Sequence, residues 1–174
     1  MAKVVTRGIR NNNPANIRRS NSSWLGLCPK RNSVALIRGG IPRFEKYDTE
    51  FCQFSDVVYG IRALIILIKN YNTFHKIDTI SGILERFAPS IENKTNYYIT
   101  YVCIQSDLQP DESLGLKNLY ITIQDNKVWH IDQDVKHKLY KICKAICMME
   151  SHFELTEKLF NRSFNMISHV HESY

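Results

Sequence analysis

The 174-residue sequence has little that breaks or crosslinks a chain: seven glycines, five prolines and five cysteines. It has no low-complexity tract and no internal repeat, which excludes collagen-like, solenoid and disordered chains. The cysteines, Cys28, Cys52, Cys103, Cys143 and Cys147, are odd in number and include no CxxC pair. They are therefore expected as reduced thiols packed as small hydrophobes, with no disulfide framework and no zinc ribbon. Cys143, Cys147 and His152 come nearest to a metal-ligand set, yet the expected metal and cofactor content is none. The longest aliphatic run, "ALIILI" from Ala63 to Ile68, falls far short of the roughly 20 residues of a membrane-spanning helix. The opening "MAKVVTRGIRNNN" has no apolar stretch of signal-peptide length, so a chain made in the cytosol without a cleaved signal is expected.

What is there is an ordinary soluble composition, 44% apolar and 23% charged, in a length that suits one domain over 1–174. The net charge of +6 is unevenly placed. Up to Glu50 there are ten Lys and Arg against three acids, and thereafter thirteen against fourteen. A cationic first third suggests a polyanionic partner, either nucleic acid or a cell wall carrying carboxylates and phosphates.

Along the chain, 7–54 reads as a basic loop region rich in Asn and Arg with two or three short strands, in "SVALI", "RFEKY" and "EFCQF", around a "RGGIP" turn. Residues 55–105 read as a helical core. Ser55 or Asp56 caps a helix in which Val57, Ile61, Leu64, Ile65, Ile68 and Tyr71 recur at helical spacing. Thr79 begins a short helix that Pro89 ends, and a third helix follows Asn93. The mixed stretch 107–133 predicts a hairpin of "LYITI" and "KVWHI" around Asp125-Asn126. Two helices fill 134–170, with a boundary near His152 to Glu154. The expected class is mainly α, an α+β chain with one small β-hairpin.

One carboxylate falls where helical periodicity points inward. Glu150 lies at i+4 from Ile146 and i+8 from Ile142, on the stripe that also holds Leu139 and Cys143. Desolvation there would favour the protonated form, which is what a general acid for glycosidic cleavage needs. The plain alternative is a helix-end glutamate, partly exposed or paired with a cation.

Three blocks, "RGIRNNNPANIRRSNSSWLG", "FCQFSDVVYGIRAL" and "TISGILERFAPSIENKTNYYITYV", resemble in order and spacing a family of phage and prophage muralytic proteins that includes the virion lysin of enveloped double-stranded-RNA phages. The resemblance covers most of Arg7 to Val102. It implies a lysozyme-like helical fold that cuts peptidoglycan, as a lytic transglycosylase or a muramidase. The family usually has Gly where this chain has Ala15, keeps a "YG(I/F)RA" helix start seen here as Tyr59 to Ala63, and often reads "HENG" where this chain has "MESH". "MESHF" is also similar to the "ESxF" signature of lytic transglycosylases, here placed after the other motifs, which would require a circularly permuted fold.

On this resemblance Glu150 is the acid, with Glu92 in "APSIENKT" as the alternative. Arg10 and Arg18 can grip carboxylates, Asn11, Asn12, Asn13 and Asn16 can pair with acetamido and hydroxyl groups, and Trp24 and Tyr59 can stack on sugar rings. The same amides could equally satisfy backbone groups in an irregular loop, and the tryptophan could be core. Peptidoglycan is the expected partner, reached through a holin, a virion or a contractile delivery apparatus. A nucleic-acid-binding module or a noncatalytic virion component stands as the rival reading.

Overall fold

The computed structural model describes residues 5–28, 48–89, 95–122 and 129–168. The expected strands "SVALI" and "RFEKY", the "RGGIP" turn, the Asp125-Asn126 turn and Glu92 lie outside the described residues. The fold is mainly helical; the described residues form six helices, α1 (Arg7–Arg10), α2 (Val57–His75), α3 (Ile80–Phe87), α4 (Thr95–Ser106), α5 (Gln133–Ser151) and α6 (Glu157–Ser168), and one hairpin, β1 (Tyr120–Thr122) with β2 (Trp129–Ile131). The chain divides into two compact units, residues 1–65 with 146–174 and residues 66–145.

The first unit is built on local signals that the sequence states openly. Thr6 caps α1 by accepting from the Ile9 N–H at 3.5 Å. The Asp56 carboxylate accepts from the Val58 N–H at 2.9 Å and so caps α2. Thr156 does the same for α6, its hydroxyl accepting from the Leu159 N–H at 3.3 Å. Val58, Ile61 and Leu64 of α2, Ile146 and Cys147 of α5, and Phe160 and Phe164 of α6 are buried. The last two rings pack at 5.9 Å. Burial of each such ring contributes about 2–3 kcal/mol of transfer free energy. The expected strand "EFCQF" is extended but forms only isolated bridges, Phe51 with Arg18 and Phe54 with Leu27.

In the second unit Thr79 caps α3 through the Gly82 N–H at 3.2 Å, and α3 buries Ile80, Ile83 and Leu84. Asp78, just before that cap, accepts from the backbone N–H of Gly115 at 3.1 Å and Leu116 at 2.8 Å, which anchors the turn leading to the hairpin. The hairpin is antiparallel, pairing Tyr120 with Ile131 and Thr122 with Trp129. Asp132 then caps α5 by accepting from the Asp134 and Val135 N–H groups. Among the described residues no helix is long and apolar enough to cross a membrane.

Candidate functional site

The asparagine block follows α1 and turns the chain twice through left-handed backbone, at Asn12 (φ 52°) and Asn16 (φ 48°). Asparagine tolerates that region better than other side-chain-bearing residues do. Three of the amides are then consumed internally. Asn13 accepts from the Ile17 N–H and donates to the carbonyls of Ile17 and Cys52, all at 3.0 Å. Asn12 donates to the Phe54 carbonyl at 2.9 Å. Asn11 donates to Asp48 Oδ2 at 2.8 Å and accepts from Gln53 Nε2 at 3.3 Å. Their exposures are 0%, 3% and 0% for Asn11, Asn12 and Asn13. The expectation that these three contact sugar is therefore corrected. They stitch the loop to 48–54, because buried backbone groups need partners and an amide supplies both kinds.

The organising group of this loop is one that sequence reading missed. Asp48 receives the Arg7 guanidinium through two contacts, Nε at 2.7 Å and Nη2 at 2.9 Å, together with the N–H groups of Glu50 and Phe51. Burial alone would push this carboxyl up, but Arg7, the Phe51 N–H and Asn11 outweigh it and hold it well below the usual carboxylate range. Arg7 also reaches Glu50 at 2.9 Å and lies 4.3 Å over the Phe51 ring. Asp48 lies 41 residues from Arg7, and no local pattern announces the pair.

Glu150 occupies the last turn of α5, where it is half-buried. Asn16 Nδ2 donates to its Oε2 at 3.1 Å and to its main-chain carbonyl at 3.1 Å, across 134 positions of sequence. The loop is thus docked on the helix end that carries the carboxylate. Two further contacts hold that seat. The Thr6 hydroxyl donates to the Ser151 carbonyl at 2.9 Å, and Gly8 packs against the Ser151 side chain. His152 then takes a left-handed conformation (φ 52°) and ends the helix, its N–H returning to the Met148 carbonyl at 2.9 Å. Beneath the carboxylate, burial and the nearby Glu150 charge both push the Cys147 thiol up, so that sulfur stays protonated and inert.

The remaining predicted residues flank this arrangement. Tyr59 is half-buried against Gly26, whose left-handed backbone (φ 73°) approaches so closely that a Cβ there would lie 2.3 Å from the ring. Gly60 meets the Asn12 carbonyl, 2.0 Å from where its Cβ would be. The "YGIRA" and "NNN" blocks therefore touch through backbone, which gives Gly60 its physical reason. Trp24 is half-buried. Arg10 and Arg18 are exposed, with the Arg18 guanidinium 5.1 Å over the Phe51 ring. Of the predicted set, Asn16 and Glu150 are brought together directly. Among the described residues no group of three or more His, Cys, Asp or Glu side chains is placed to hold a metal ion.

No protein-family model matches the chain. Over 114 residues it is 31% identical to Protein P5 of Pseudoalteromonas phage PM2, a match covering 64% of this chain and 62% of that protein. The chain thus spans less than two thirds of the length of this relative.

Proposed function

We propose that the chain is a lysozyme-like enzyme that cleaves the glycan strand of peptidoglycan, acting as a lytic transglycosylase with Glu150 as its single acid and base. The observation that carries this reading is the contact between Asn16 and Glu150, which joins the polar, cationic loop to a half-buried carboxylate at a helix end. Similarity to a phage protein is compatible with it.

In the proposed reaction the Glu150 carboxyl gives its proton to the glycosidic oxygen as the C1–O bond breaks. The substrate's own acetamido oxygen closes on C1 and holds the developing positive charge. The C6 hydroxyl then displaces that oxygen to form the anhydro ring, and its proton returns to Glu150. One carboxylate suffices for both transfers, so no second acid at fixed separation is required. Asn16 donates to one oxygen of that carboxyl and so fixes its orientation. Arg10 and Arg18, exposed beside the loop, are suited to the acidic groups of the wall.

The test is digestion of purified sacculi with product analysis by mass spectrometry. Wild type yields anhydro-muramic ends, and Glu150→Gln yields none while melting like wild type. Reducing muramic ends in place of anhydro ends would make the enzyme a water-using muramidase. An active Glu150→Gln with an inactive Glu92→Gln would move the acid to Glu92. A wild type that leaves sacculi intact yet binds them, or binds nucleic acid, would replace the enzyme reading with a noncatalytic one.

A further inference from the structure

Arg62, in the first turns of α2, is only 9% exposed. Its Nε is buried without a hydrogen-bond partner, and none of the ion pairs among the described residues involves it. A guanidinium does not escape burial by losing its proton, unlike a buried lysine or carboxylic acid. Chains rarely leave such a charge uncompensated, because a buried cation without an acceptor loses its hydration and gains nothing in return. Something with acceptor oxygens is expected to meet it.

Its surroundings agree. Tyr59 lies three residues before it in α2, so the two side chains are neighbours on one helix face. Burial lowers the Arg62 pKa, and the charge of the Tyr59 phenol opposes that shift. Gly26 packs against the Tyr59 ring. Two residues before Gly26, Trp24 has a buried Nε1 that also lacks an acceptor. A buried cationic donor without an acceptor in the chain is one that an anionic or acceptor-rich group can answer.

We propose that Arg62 anchors an anion site that binds a carboxylate of a ligand. The terminal nitrogens of the guanidinium, which are not enclosed as Nε is, present N–H groups side by side, the spacing that grips both oxygens of one carboxylate. A single guanidinium balances one negative charge, which suits a carboxylate better than a doubly charged phosphate. The inference stands on Arg62 and its neighbours and does not depend on Glu150 or on lytic activity.

The experiment follows the Arg62 Nε–H resonance of the full chain by 15N NMR during titration at constant ionic strength with acetate, N-acetylmuramic acid, N-acetylglucosamine and inorganic phosphate. The two sugars differ by a lactyl ether that carries a carboxylate. Acetate and N-acetylmuramic acid are expected to move the resonance saturably, and N-acetylglucosamine and phosphate to leave it in place. Arg62→Met is expected to weaken N-acetylmuramic acid binding about ten-fold or more while its melting temperature stays level or rises, since an unpaired buried charge has been removed. The proposal is overturned if no carboxylate moves the resonance, or if phosphate alone does. It is equally overturned if Arg62→Met lowers the melting temperature by several degrees, which would mean that the chain itself satisfies the guanidinium.

Discussion

Gly8 and Ser151, 143 residues apart, approach so closely that a Cβ on Gly8 would lie 1.9 Å from the Ser151 Oγ and 2.9 Å from the Asn13 carbonyl oxygen. The first helix can sit on the end of α5 only because residue 8 has no side chain. That seat also fixes where Asn16 meets Glu150.

Gly8→Ala is accordingly expected to force the loop off the helix end. Overpacking of this kind costs about 1–3 kcal/mol, a fall of several degrees in melting temperature. Ser151→Ala is the instructive partner. Its hydroxyl is buried without a hydrogen-bond partner, so losing it should be neutral or mildly stabilising. The double variant with Ser151→Ala should recover part of the Gly8→Ala loss, because the two changes share one contact. Calorimetry of the four proteins checks this, and strictly additive losses would speak against the contact.

Asn16→Gly separates two roles for that residue. Glycine keeps the left-handed backbone and removes the amide that reaches Glu150. If the amide aims the carboxylate, kcat on peptidoglycan falls about 10- to 100-fold with KM unchanged, as expected when a catalytic group is misplaced by an ångström. If the amide binds sugar, KM rises and kcat holds. Thermal melting should differ from wild type by only a few degrees in either case.

Acid should unfold the first unit through Asp48. Its pKa is depressed in the folded protein, so its contribution is complete above the unfolded value near 3.9 and is lost as pH falls below it. Stability measured by urea denaturation is expected to be level with respect to this group above about pH 5 and to drop below about pH 4. Asp48→Asn should flatten that acid limb. At neutral pH it should cost about 2–3 kcal/mol, because Arg7 and two backbone N–H groups lose a charged acceptor. An unchanged acid limb in the variant would assign the transition to another carboxylate.

The sequence by itself determined the helices. The stripe Ile61, Leu64, Ile65 and Ile68, the caps at Asp56 and Thr79, the antiparallel hairpin and the break at His152 are all encoded within a few residues of where they act. Helical periodicity and capping are short-range effects, so one window of sequence contains them. The extended segment at 50–54 was less legible, because pairing depends on a distant partner and here yields bridges without a sheet. Only the tertiary structure decided which asparagines serve the scaffold and which one faces the carboxylate. Asn11, Asn12, Asn13 and Asn16 carry identical chemistry, and nothing within the block separates an amide spent on the Cys52 carbonyl from one that meets Glu150. The same holds for the Arg7–Asp48 pair and for the buried, unpartnered Nε of Arg62. Each is a relation between residues far apart in sequence or between a residue and its burial, and such relations exist only once the chain has closed upon itself.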